Sequence, residues 1–308
     1  MKSAYFVEKN KMEVREFPKA QLVKETDAII KIVRACVCGS DLWWFRGISE
    51  RQPGPVGHEA IGLIEEVGTG VKNFKVGDFV IVPFTHGCGH CPICLAGFEA
   101  NCPNAKDGVN GGYQGEFYRA INADGALVKI PGQPSDYSDD QLASLTTLAD
   151  VMPTGFHAAK AADVHEGDTV VVFGDGAVGL CAVISAKLLG AKRIIAMSRH
   201  EDRAALARDF GATDIIAERG EEAIQKIMSL TNGYGADAAL ECVGTKQAIE
   251  SAFQAVRAGG RVGRVGVPHD VDYNEWIDSL FWKNIQLGGG VASVARWDKE
   301  ILLEAVLS

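Results

Sequence analysis

The sequence predicts an α/β protein in two parts: an amino-terminal half of short strands and turns, then a doubly wound parallel sheet with helices on both faces. Three observations lead there. A length of 308 residues suits about two domains. The first half carries short apolar runs broken by Gly and Pro. From about Asp168 onward, β-branched runs alternate with amphipathic helical segments, the pattern of repeated strand–helix–strand units.

Taken in order, residues 60–67, 79–82 and 126–130 read as strands of the first half. In the second half, strands are expected at 169–173, 193–197, 213–217, 237–241 and 261–267. Helices are expected between them at 177–189, 201–210, 221–230 and 246–258. The boundary between the halves falls near 152–154. A last amphipathic helix spans 297–308, with Ile301, Leu302, Ala305 and Val306 on one face and no Gly or Pro stop signal after it.

Hydrophobic residues make up 47% of the chain and charged residues 23%, enough apolar material for real cores. A net charge of -9 argues against nucleic acid and anionic membrane surfaces as partners. No apolar run is long enough to span a bilayer, and residues 1–11 lack a signal-peptide core. A cytoplasmic protein is expected.

Four of the eight cysteines crowd into one segment: Cys88, Cys91, Cys94 and Cys102, with two, two and seven residues between them. Thiolates so spaced can wrap one ion, and a four-sulfur site with no open position is a structural zinc site. An iron–sulfur cluster is the rival, because Pro103 follows Cys102, but the bacterial ferredoxin run has about three residues before its last cysteine. Unligated thiols are the third reading. His86 and His90 lie inside the cluster as bystanders, since four cysteines already fill a tetrahedron.

Gly174-Asp175-Gly176-Ala177-Val178-Gly179 follows a predicted strand and opens a predicted helix. In that setting Gly-x-Gly-x-x-Gly is the fingerprint of a Rossmann dinucleotide site, where the glycines let a pyrophosphate reach the helix N-terminus. Thr154, Val178, Gly266 and Val267 complete the expected cofactor-lining set. The next strand ends in Ser198 and Arg199, with Arg203 one turn further on. An NAD fold carries an acid there; its absence and the added cations favour NADP(H) over NAD(H). The alternative is that Arg199 faces solvent and the cofactor is NAD.

Cys38-Gly39-Ser40-Asp41, Gly57-His58-Glu59 and Asp150-Val151-Met152-Pro153-Thr154-Gly155-Phe156-His157 add a further constellation. With these motifs the chain resembles the zinc-containing medium-chain alcohol dehydrogenases over nearly its whole length. The resemblance implies a GroES-like, partly open β-barrel catalytic domain at 1–152, to which 291–308 returns, and a six-stranded Rossmann domain at 153–290, with the active site in the cleft between them. It also implies a catalytic zinc on Cys38, His58 and Asp150, with Glu59 as an intermittent fourth ligand or a group beside the metal. Two zinc ions per chain follow. Three protein ligands leave one position open for substrate. Ser40 would hydrogen-bond the substrate oxygen and relay its proton, and Asp41 would orient a ligand, unless it is merely a turn residue.

Many family members carry a histidine five residues after the metal cysteine; this chain has Trp43, followed by Trp44 and Phe45. These aromatics either wall a substrate pocket or pack the core or an interface, and Phe84 and Thr85 match the family's pocket wall. The resemblance therefore implies hydride transfer between a small alcohol and its aldehyde or ketone. An NAD-dependent polyol or amino-alcohol dehydrogenase of the same family and a non-enzymatic NADPH-binding protein are the alternatives. A zincless quinone or enoyl reductase is disfavoured by the intact ligand set. A homodimer or homotetramer is expected, joined through 277–290. Family members continue for several dozen residues beyond this C-terminus, so a segment closing the cleft is expected to be missing.

Overall fold

A computed structural model describes residues 1–105, 111–268, 277–293 and 296–307. The chain divides into two compact units, Met1–Asp150 with Ser293–Ser308, and Val151–Ala292.

The first unit is built on antiparallel strands. A five-stranded sheet runs in the order Phe117–Ala120, Ala28–Ala35, Ala60–Val67, Phe79–Val82, Val128–Lys129. A three-stranded sheet pairs Lys2–Glu8 with Lys11–Glu16 and Gly54–Pro55. One face of the larger sheet buries Ala28, Ile30, Ala60, Ile64, Val80 and Val82, the period of two expected of a pleated strand. Ile29, Ile61 and Ile81 point the other way yet are also fully buried, and the helix Asp139–Thr146 packs on strands Ala28–Ala35 and Ala60–Val67. This is why these strands read as continuous apolar runs rather than alternating ones.

The expected strand at 126–130 is shorter than its pattern suggested. Ala123–Ala126 forms a helical turn, and only Val128–Lys129 pairs, with Val80 and Ile81. Asn122 adopts a left-handed conformation (φ 52°) that starts the turn, so Leu127 and Ile130 are buried from outside a ladder.

In the second unit six parallel strands run in the order Asp214–Ile216, Arg193–Met197, Thr169–Phe173, Ala236–Glu241, Val256–Arg264, Gln286–Gly289. The chain builds outward on one side of Thr169–Phe173 and then returns to build on the other. Val170 and Val172 enter one core with Ala158, Ala182 and Ala186; Val171 and Phe173 enter a second core with Ile227, Ile249 and Phe253. Alternate residues of one strand thus serve two helix layers.

Observed spans match the sequence expectation closely at 169–173, 193–197 and 201–210. One exchange differs. The helix expected over 246–258 ends at Ala255, and the following strand begins at Val256, not 261. Val256 is β-branched, fully buried and paired with Ala236, while Gly259 at φ 68° cannot continue a helix. The last helix is Arg296–Leu307; Ser308 lies outside the described residues. No described helix is long and apolar enough to cross a membrane.

Candidate metal centres and dinucleotide site

The four clustered cysteines meet. Their sulfurs lie 3.6 Å (Cys91 to Cys94), 3.8 Å (Cys91 to Cys102) and 4.0 Å (Cys88 to Cys94) apart. A tetrahedron with metal–sulfur bonds of about 2.3 Å has edges of about 3.8 Å, so the thiols stand where one zinc would hold them. All four are free thiols rather than disulfides. Local sequence explains the convergence. Gly89 (φ 78°) and Gly97 (φ 87°) make the reversals, and a side chain at Gly87 would put its Cβ 2.6 Å from the Cys94 sulfur. Burial opposes ionisation of Cys88, but hydrogen bonds from Asn104 and from neighbouring backbone amides outweigh it and bring the thiol down to about 6. Burial, joined by Cys91 and Cys102, pushes Cys94 up to about 12. The metal-sized group holds only the cysteines; His90 turns its ring nitrogen to the Cys88 carbonyl instead.

The second constellation also converges. The Cys38 sulfur is 3.6 Å from Asp150 Oδ2, and His58 Nε2 is 3.3 Å from the same oxygen. Ligands held at tetrahedral angles about 2.0–2.3 Å from one ion lie about 3.3–3.6 Å apart, the spacing seen. Glu59 joins them: its Oε1, 3.7 Å from His58 Nε2, is buried without a hydrogen-bond partner, while its Oε2 contacts the Cys36 thiol. A buried carboxylate oxygen with no donor is costly unless a cation serves it. Burial and the Asp150 charge together lift Glu59 to about 7. Burial opposes protonation of His58, but hydrogen bonding with Asp150, Asp41 and Cys38 pushes it up to about 12. Burial pushes the Cys38 thiol up, against hydrogen bonds from His58 and Ser40. A thiol, an imidazole and two carboxyl groups gathered within 4.8 Å make a donor set that fits zinc.

Asp41 stands behind this cluster and is itself 6% exposed. One of its oxygens faces His58 Nδ1 at 3.5 Å; the other accepts the Cys38 amide at 3.1 Å. Ser40 occupies the N-cap position of the short helix Asp41–Phe45, and its hydroxyl caps no amide there. Phe84 lies 6.2 Å from the His58 ring and donates its amide to the Ala149 carbonyl, next to Asp150. Trp44 instead packs edge-on against Phe6 and under the Arg51 guanidinium, which makes it a packing residue.

The glycine motif forms the loop between strand Thr169–Phe173 and helix Ala177–Leu188. Gly174 sits at φ 115°, and a Cβ on Gly179 would lie 2.0 Å from the Gly174 carbonyl oxygen. Around Gly176 the space is open, and no side chain caps the helix. Open backbone amides at an uncapped helix start suit a pyrophosphate. Thr154 is buried in helix Val151–Ala161. Gly266 touches the Gly244 backbone closely enough to exclude a Cβ, and Val267 is exposed.

Ser198 is buried, Arg199 exposed, and Arg203 half-exposed. Sequence reasoning missed the common partner of Ser198 and Arg203. Asp175, an x of the motif, accepts the Ser198 hydroxyl at 2.9 Å and the Arg203 guanidinium at 3.0 Å. It also missed Cys36 against Glu59. Nothing in spacing marks either residue.

Comparisons with known proteins bear on the family and the fold. Residues 24–132 match the family model of the alcohol dehydrogenase GroES-like domain, and residues 177–299 that of the zinc-binding dehydrogenases. A zinc-type alcohol dehydrogenase B of Aspergillus flavus is 37% identical over 94% of this chain and 69% of its own length. An NADP-dependent isopropanol dehydrogenase of Thermoanaerobacter brockii is 36% identical over 91% of this chain and 81% of its own. Among solved structures, the alcohol dehydrogenase TADH from Thermus sp. ATN1 superposes with a TM-score of 0.88 at 30% identity, covering 99% of this chain and 88% of that one.

Proposed function

The chain belongs to the zinc-containing medium-chain alcohol dehydrogenase family and is an enzyme of that class, with a GroES-like and a Rossmann domain, and on that premise we propose that it moves a hydride between a small alcohol and NADP. The product is the aldehyde or ketone. The observation that carries this reading is the convergence of Cys38, His58, Glu59 and Asp150 within 4.8 Å, with Asp41 behind His58.

Cys38, His58 and Asp150 would hold the catalytic zinc, with Glu59 as an intermittent ligand, and the four clustered cysteines a structural one. Bound in the first site, zinc supplies Lewis acidity that draws charge from a substrate oxygen. With zinc bound, Asp41 would fix the His58 tautomer through Nδ1, leaving Nε2 free to serve as the ligand atom. Ser40 would hold the substrate hydroxyl and relay its proton, accepting it while releasing its own, as the carbon gives hydride to the nicotinamide. Trp43 cannot pass that proton on, so it would leave through water, a cofactor hydroxyl or another residue.

Support for NADP comes from Ser198, Arg199 and Arg203, and from the relative whose name states that cofactor. Gly174, Gly176, Val178 and Gly179 would cradle its pyrophosphate, and Thr154, Gly266 and Val267 would line its nicotinamide half. A second reading, an NAD-dependent enzyme acting on polyols, has one observation in its favour: the Asp175 carboxylate beside Ser198. The outer strand Gln286–Gly289, with exposed Phe281 and Trp282 before it, supports a homodimer or homotetramer.

The experiment is a screen of primary, secondary, aromatic and polyol alcohols for reduction of NADP and NAD. A higher kcat/KM with NADP on simple alcohols is expected. A ratio favouring NAD overturns the cofactor reading, and turnover on none of these overturns the reaction.

A further inference from the structure

Ser198 and Arg203 are expected to hold a 2′-phosphate, yet both already bind a carboxylate. Three elements bring them together. Asp175 lies two residues beyond strand Thr169–Phe173, and Ser198 directly follows strand Arg193–Met197. Those strands pair residue for residue, ending Met197 against Phe173, so both positions emerge side by side at the carboxyl ends of neighbouring strands. Arg203 sits in the first turn of helix Glu201–Phe210 and reaches back to the same carboxylate.

We propose that Asp175 is a specificity-determining residue, an internal competitor whose carboxylate contests the 2′-phosphate for the Ser198 hydroxyl and the Arg203 guanidinium and thereby restrains the preference for NADP. This rests on the NADP reading above. Ser198 has one hydroxyl proton, given to Asp175 at 2.9 Å, with the His200 carbonyl a weaker acceptor at 3.3 Å. A phosphate oxygen can accept that proton only if Asp175 gives it up. Arg203 is less limited, because its fork offers five donors and Asp175 takes one. The contest therefore centres on Ser198, while the charge of Asp175 opposes the nearby dianion throughout. Burial acts against ionisation of Asp175, but Ser198 and Arg203 hold its carboxyl below the ordinary range, so the group is an anion near neutral pH. NADH brings no phosphate to this corner, so relief of the repulsion falls on NADPH alone, and the two Kd values are read separately as well as in ratio.

The test is fluorescence titration of NADPH and of NADH binding to the wild-type protein and to Asp175→Asn. Asparagine keeps the shape and an oxygen for Ser198 but not the charge. The ratio of the two Kd values should move toward NADPH by about tenfold, the scale of one charge-assisted hydrogen bond. An unchanged ratio refutes the proposal. So does a ratio that moves toward NADH, which would make Asp175 the anchor that positions Arg203 for the phosphate. Asp175→Ser, which also removes the charge, must give the same direction, and thermal melting of both variants guards against misfolding. The wild-type ratio is read separately: a preference for NADH there overturns the NADP reading but leaves the change caused by Asp175→Asn to decide this proposal.

Discussion

Asp41 offers the sharpest test of how the catalytic metal is held. Its carboxylate makes two contacts: Oδ1 faces His58 Nδ1 at 3.5 Å, and Oδ2 accepts the Cys38 amide at 3.1 Å. Both neighbours are proposed ligands. Asp41→Asn can keep the acceptor for Cys38 through its carbonyl and loses only the charge behind the imidazole. Groups behind a metal ligand are worth about 10–100-fold in affinity, and one contact of two puts this variant near the lower end, about tenfold or 1.4 kcal/mol. Asp41→Ala also strips the Cys38 amide of its acceptor, which adds about 1–3 kcal/mol and takes the loss to a hundredfold or beyond. The assay is zinc affinity by competition with a chromogenic chelator, on protein whose four-cysteine site stays filled, with circular dichroism to verify the fold. Equal zinc affinity in wild type, Asp41→Asn and Asp41→Ala would refute the reasoning and reduce Asp41 to a turn residue.

Elemental analysis should approach two zinc ions per chain, and a chelator should remove the one on Cys38, His58 and Asp150 first, because a carboxylate and an imidazole hold zinc less firmly than thiolates. Iron with a visible sulfide-to-iron band, or earlier loss from the cysteine site, would contradict this. Ser40→Ala should lower kcat while zinc content stays unchanged; equal kcat would remove Ser40 from the proton path. Gly155→Val should lower the melting temperature, since its Cβ would lie 2.5 Å from the Ala182 amide nitrogen and force helix Val151–Ala161 off its neighbour. Overpacking of this kind costs about 1–3 kcal/mol, and an unchanged melting curve would show that the helices part freely.

Much of this molecule was legible because its constraints are local. Strand Thr169–Phe173 announces itself because both its faces are buried, which demands an unbroken β-branched run. The four-cysteine site closes within a few turns of chain, so spacing alone brings its sulfurs together. Where local signals conflicted, the prediction slipped: Ala255 and Val256 look helical in sequence, yet pairing with Ala236 makes Val256 a strand residue. The motifs at Cys38, His58 and Asp150 marked their residues individually and, through family resemblance, as a set. Their meeting is a tertiary fact. Cys38 and Asp150 are 112 residues apart, and the packing of the turn Thr147–Ala149 on strand Phe79–Val82, with the Phe84 amide bonded to the Ala149 carbonyl, helps bring their side chains to 3.6 Å. The same holds for Asp175, Ser198 and Arg203, which occupy one corner because two parallel strands end side by side. Sequence by itself marked the candidate residues for the chemistry, since residue type and short spacing are written along the chain. The tertiary structure alone decided which charges face one another, because distances across a sheet depend on strand order and register, and no local pattern encodes them.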